Sequence, residues 1–272
     1  MTHKYYSLRA GTNPNIDGLT LNDTVDLFVR VYNQLKCDGY FDEAFGFYFE
    51  EIDSFISGTI KDIDLEILLK IRKKNLWPLS TYASSYTEDD FFDIIEFLYQ
   101  NVSKPIDGTS HWETFNRQDG QQEFRDKINS VLAHYKKKYE LSERGEILQK
   151  PDAGFELIFE ADVPSEDKNI IERINSATIS FRRHGSTIDT RRQAVRDLAD
   201  VLEYLKPQVK SLINKKDEDD LFNIANNFGI RHHNDRQKTN YDAALWLSWM
   251  FYFYLSTIHV VLRKISHDKS KQ

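Results

Sequence analysis

The chain has 272 residues, 40 % of them hydrophobic, 13 % aromatic and 29 % charged, and a formal net charge of −7. That balance is globular rather than disordered, and the length suffices for one or two domains with a substantial core. The single cysteine, Cys37, excludes an internal disulfide and any cysteine-based zinc cluster, so a reducing cytoplasm is the expected setting.

Met1 to Tyr6 lacks the apolar run of a secretory signal. The first twenty residues, rich in Gly, Asn and Pro, read as an irregular lead-in. A helix is expected over Thr20–Lys36, where Val25, Phe28, Tyr32 and Leu35 share one face and Thr20 or Asn22 can cap the start. Phe41–Phe55, dense in aromatics and acids, is expected to be helical, and Asp64–Lys74 is a short helix stopped by Pro78. Thr87 is the expected N-cap of a helix reaching about Val102, with Glu88, Asp89 and Asp90 suited to the helix dipole. Phe124, Ile128, Val131, Leu132 and Tyr135 form the stripe of an amphipathic helix over Gly120–Lys137.

The pattern then changes. Tyr139–Leu141 and Glu146–Leu148, around Gly145, resemble a small hairpin, and Phe155, Leu157 and Phe159 alternate like a strand. Asp162-Val163-Pro164 breaks it, Ser165 can cap the next helix, and the domain boundary is placed near residue 164. Ile170, Ile174, Ala177 and Phe181 mark that helix, closed by Gly185. Ala194, Leu198, Val201, Leu202 and Leu205 mark another, closed by Pro207. Shorter helices are expected over about 208–214 and 217–227, with Gly229 as a C-cap, and Tyr241–Ser266 is the last and longest. The fold class is therefore mainly α: an acidic helical domain over 1–164 ending in a small β element, and a helical bundle over 165–272. Charge respects that division. Residues 1–164 carry 18 Lys and Arg against 29 Asp and Glu, whereas residues 165–272 carry 18 against 14. A bound nucleic acid would sit on the second part; ordinary surface variation is the competing explanation.

Ala243–Leu262 has no formal charge and is long enough to span a bilayer. Ser248, Ser256, Thr257 and His259 are poor lipid-facing groups, and the aromatics are scattered rather than banded at the ends, so the centre of a bundle is the preferred reading. Part of its surface suits a homodimer interface.

Just before this helix lies the densest set of reactive groups. Arg231, His232 and His233 are flanked by Asn226, Asn227, Asn234, Arg236 and Lys238. RNA cleavage through the 2′-hydroxyl needs a base, an acid and a cation for the phosphate. Histidine can supply the first two and arginine the third. Against this, consecutive histidines on a helix point about 100° apart, and a histidine at a helix C-terminus is favoured by the dipole alone. A capping or dimer-contact role is thus equally concrete.

The second part resembles a HEPN-type helical domain of abortive-infection proteins. The resemblance rests on the Arg191–Lys206 helix, the polar segment 226–234 and the long apolar helix after it. The stretch Ile128–Leu132 with Tyr139–Ile147 is similar to the helix-plus-hairpin ending of AbiJ-like N-terminal domains. The resemblance implies a homodimeric bundle of antiparallel helices and, for many members, metal-independent cleavage of RNA in antiviral defence. On that basis Arg231 would stabilise the phosphate and His232 or His233 would act as base or acid. The asparagines, Arg236 and Lys238 would contact substrate. The family signature sets the Arg ahead of the His; here Asn226 and Asn227 occupy the upstream place and Arg231 adjoins the pair. No cofactor or metal is expected, and RNA is the expected ligand.

A second basic cluster, Arg182, Arg183, His184, Arg191, Arg192 and Arg196, could track a phosphate backbone, with a solvated face as the simpler explanation. Acidic groups at Glu50, Glu51 and Asp53, and at Glu88, Asp89, Asp90 and Asp93, lack a histidine at ligand spacing. No phosphate loop, dinucleotide fingerprint, nucleophile elbow or DNA-specific motif is present. Cys37 is expected to be packed, and His259 to be a hydrogen-bonded core residue. The competing function is a non-catalytic dimerisation and interaction module.

Overall fold

The computed structural model describes residues 3, 5–49, 53–106, 114–151, 154–209 and 242–269. It is mainly helical, with small two-stranded sheets. The chain divides into two compact units, Met1–Leu148 and Gln149–Gln272, and Pro164 lies inside the second.

The first unit opens with α1 (Tyr6–Ala10) and α2 (Leu21–Cys37). Thr20 caps α2 in a reciprocal box: its hydroxyl accepts from the Asp23 amide while the Asp23 carboxylate accepts from the Thr20 amide. Thr24, Val25, Phe28, Tyr32 and Leu35 form the buried stripe of α2. Cys37, the last residue of that helix, is exposed and not packed, because its position falls off the stripe.

Residues 41–55 are not one helix. A short α3 (Asp42–Phe45) stops at Gly46, whose φ of 77° lies in the left-handed region. The chain then forms the antiparallel pair β1 (Phe47–Phe49) and β2 (Ser54–Ile56), with Tyr48 opposite Phe55. Three consecutive aromatics favour a strand, and the return is held by Thr59 and Ile60 amides donating to the Glu43 and Ala44 carbonyls. A Cβ on Gly58 would lie 2.4 Å from the Ala44 carbonyl oxygen, so this close approach requires glycine.

Helix α4 (Ile63–Ile71) ends on Arg72 in a left-handed conformation, before Pro78 is reached. A short α5 (Leu79–Tyr82) precedes α6 (Glu88–Asn101), which Thr87 and Asp90 close in a second capping box. The small pair β3 (Lys104–Pro105) and β4 (Phe115–Asn116) leads into α7 (Arg117–Leu132). Strands β5 (Tyr139–Leu141) and β6 (Ile147–Gln149) form the expected hairpin. The core is aromatic: Phe28 meets Phe91 edge-to-face at 5.3 Å, and Phe41 stacks on Phe45 at 5.5 Å.

The second unit begins with α8 (Glu156–Glu160), a helix rather than the expected strand. The helical turn brings Phe155 and Phe159 to one side, where Phe155 stacks on Tyr252 at 4.0 Å and Phe159 on Phe251 at 6.0 Å. Leu157, which a strand would have placed beside them, is 78 % exposed. Next come α9 (Lys168–Arg182), α10 (Ile188–Tyr204), the short α11 (Lys206–Val209) and α12 (Ala243–Lys269). Asp167, not Ser165, caps α9; the Ser165 hydroxyl instead accepts from the Asp167 amide. Thr187 caps α10. Asp242 caps α12, its Oδ1 accepting from the Ala244 and Leu245 amides.

Helix α12 is long and apolar enough to cross a membrane by length and composition, and half of that stretch is buried within the unit. Leu247, Met250, Phe251, Tyr254, Leu255, Ile258 and Leu262 join Ile174, Phe181, Leu198 and Leu202 in a single core. The helix is therefore buried along one face and not all round. Leu245, at 65 %, and Val260, at 66 %, are well exposed.

Candidate anion site

Arg231, His232, His233, Asn226, Asn227, Asn234, Arg236 and Lys238 all lie outside the described residues, as do the helices expected over 217–227 and most of 208–214. The basic cluster at the α9–α10 corner is described, and it is not simply a solvated face. Helix α9 ends at Arg182, Gly185 takes the left-handed turn at φ 72°, and Thr187 restarts the chain as α10. This reversal carries Arg182 and Arg191 to neighbouring positions on paired helices.

Arg182 is buried, at 8 % exposure. Its Nε donates to the Gln149 carbonyl at 3.0 Å, and its guanidinium stands 4.8 Å from the Phe159 ring centroid. Arg191 is half-buried. Its Nη2 donates to Gln149 Oε1 at 2.9 Å, and its guanidinium lies 5.3 Å from the Phe181 ring centroid. Phe181 in turn stacks on Phe251 of α12 at 4.1 Å. The Arg191 Nε is buried and has no hydrogen-bond partner among the described residues. A buried donor left unmet costs about 1–3 kcal/mol, so this guanidinium is held in place by packing while one of its N–H groups goes unused.

A cavity of about 80 Å³ opens here, bounded by Gln149, Lys150, Arg182, Arg191, Ser248 and Tyr252. Its described lining has three cationic side chains and no carboxylate. The other cations of the cluster are more conventional. Arg192 pairs with Asp189 at 2.6 Å, one turn away, and Arg196 Nη1 donates to Gln193 Oε1 at 3.0 Å.

Arg263 and His267 are one turn apart near the end of α12, both exposed. Here the Arg precedes the His, the order that the resemblance implies, in a part of the chain away from residues 226–238. His259 is buried as expected, but its Nδ1 has no hydrogen-bond partner among the described residues. Burial, with the Arg263 charge added, holds its pKa below the usual 6.5. In the acidic first unit, Asp90 and Asp93 both pair with Lys73, at 2.9 and 2.8 Å. Among the described residues no group of three or more His, Cys, Asp or Glu side chains could hold a metal ion.

No family model matches the chain, and no curated protein or solved structure matches it either.

Proposed function

We propose that this protein is an RNA-binding effector of a bacterial antiviral, abortive-infection type, with a HEPN-like helical bundle in its second unit. The observation that supports RNA binding most directly is the pair Arg182 and Arg191, drawn together beside Lys150 in a cavity whose described lining holds no carboxylate. Packed guanidinium groups of this kind suit phosphate oxygens, which they bind through paired N–H donors. Metal-independent ribonuclease activity is the further step. It rests on the resemblance and assigns phosphate stabilisation to Arg231 and proton transfer to His232 or His233.

The test measures RNA binding by the full chain at several salt concentrations, and RNA cleavage in the presence of a metal chelator. Binding that weakens steeply with salt supports the RNA reading. Cleavage abolished in Arg231→Ala or His233→Ala supports the catalytic assignment. Cleavage unchanged in the double variant removes it, and the Arg263→Ala and His267→Ala variants then show whether the pair on α12 acts instead. Failure to bind RNA at low salt overturns the proposal.

The second reading is a non-catalytic dimerisation module. Partly exposed Trp246 and Trp249, at 37 % and 42 %, lie along the same face of α12 as Val260 and favour it. Aromatic side chains of this kind are enriched at interface cores. A sedimentation measurement giving a monomer at micromolar concentration removes this reading.

A further inference from the structure

We infer that the outward face of α12 pairs with the same face of a second copy of this chain, antiparallel about Ser256. The inference rests on the dimerisation reading and adds to it the face, the direction and the register.

Helix α12 carries two stripes. Leu247, Met250, Tyr254 and Ile258 lie on the inward one, in the core they share with α9 and α10. The outward one is Trp246, Trp249, Phe253, Ser256, Val260 and Arg263, and His267 completes it; each of these is exposed or half-buried. Steps of three and four residues alternate along it without a break over three heptads, the spacing with which one helix lays a seam along another.

The seam differs at its two ends. Its first half is a continuous aromatic strip: Trp246 meets Trp249 edge-to-face at 5.5 Å, and Trp249 stacks on Phe253 at 5.5 Å. Its last half carries Val260 and then the cationic Arg263. Between them sits a small residue. The Ser256 hydroxyl donates back to the Tyr252 and Phe253 carbonyls, and the neighbouring Thr257 hydroxyl donates to the Phe253 carbonyl at 2.7 Å. The centre therefore brings no unmet hydroxyl proton to a partner, and the short side chain lets two helix axes come close.

Direction follows from the two halves. Trp249 and Arg263 each lie seven residues from Ser256, Phe253 lies three before it and Val260 four after it, and Trp246 lies ten before and His267 eleven after. A two-fold axis through Ser256 thus sets Arg263 of each copy over Trp249 of the other, and Phe253 against Val260, every contact made twice. An arginine over a tryptophan ring is the favoured cation–aromatic pairing. A parallel pair would instead oppose Arg263 to Arg263, a repulsive contact, and leave the aromatic strip facing itself.

The experiment measures self-association of the full chain by sedimentation, together with cysteine cross-linking in a Cys37→Ser background. A dimer is expected at micromolar concentration. Val260→Glu, at an exposed position, should convert it to monomer without loss of helical circular dichroism. Arg263→Glu should weaken association about fivefold or more. The Ser256→Cys chain should form a disulfide dimer under mild oxidation. The Val260→Cys chain should not, because two copies of position 260 stand about 12 Å apart along the axis in this register, beyond the roughly 7 Å that a disulfide spans. Ready cross-linking through both positions indicates a parallel pair and overturns the inference. A dimer that survives Val260→Glu and does not cross-link through Ser256→Cys also overturns it, while leaving dimerisation through another face. A monomer at every concentration removes both the inference and the dimerisation reading. A monomer that floats with phosphatidylcholine vesicles does the same, and assigns the face to a bilayer.

Discussion

Arg182 and Arg191, nine positions apart in the chain, converge on a single residue: one donates to the backbone carbonyl of Gln149 and the other to its side-chain amide oxygen. A buried cation that has both a carbonyl acceptor and an aromatic face cannot be replaced by a lysine, which lacks the planar fork. Arg182→Met and Arg182→Lys should each destabilise the second unit by about 1.5–3 kcal/mol. Urea unfolding checks this, followed by circular dichroism together with tryptophan fluorescence, because Trp246 and Trp249 lie on α12 while Trp77 packs in the first unit. A loss below about 0.5 kcal/mol for both variants, under the usual worth of one hydrogen bond, would mean that the contact contributes little.

Acidification should weaken the second unit through His259. Its folded pKa lies below 6.5, so the folded state resists a proton that the unfolded chain accepts. Stability is full above 6.5 and declines as pH falls from there toward the lowered folded value. His259→Phe should flatten that decline. The measurement is the urea midpoint at a series of pH values for both proteins, and parallel curves would show that another group is responsible.

Thr87 tests the first unit. Its hydroxyl caps α6 while Asp90 returns the bond, and Asp90 also pairs with Lys73. Thr87→Ala should cost about 1 kcal/mol and Thr87→Ser much less, read from the thermal midpoint. Burial pushes the Asp90 pKa up, but the Thr87 and Lys73 contacts outweigh it and the net shift is downward from 3.8. Its contribution is thus complete above 3.8 and is lost as pH falls through the lower folded value.

Gly145 closes the hairpin at φ +79°, and a Cβ there would lie 2.2 Å from Tyr99 Cδ1. The Tyr99 hydroxyl donates to the Glu143 carbonyl at 2.6 Å, which limits its freedom to move aside. Gly145→Ala should therefore destabilise the protein by more than about 1 kcal/mol, whereas Gly154→Ala, with nothing among the described residues within 4 Å, should be affected mainly by its backbone φ of +99°. Thermal midpoints of the two variants, compared side by side, separate the steric cost from the backbone cost.

Helices with both a cap and an unbroken apolar stripe are readable from sequence, and α2, α6, α7, α9 and α10 are of this kind. The two misread stretches share a cause. Residues 47–56 and 155–159 are short and aromatic, and either periodicity accommodates them; the choice is made by Ala44 and Glu43 in one case and by Phe251 and Tyr252 in the other, which are remote or tertiary partners. The basic cluster is evident as composition, but its sequestration is not. Gln149 stands 33 residues from Arg182 and 42 from Arg191, and no local pattern links them.

Asp242 has a consequence for how the second core is maintained. Because α12 is started by its own preceding carboxylate, the phase of its inward-facing side chains is set on the spot. Whatever chain enters there, by insertion, cleavage or exchange, the row from Leu247 to Leu262 should keep its seat against α9 and α10.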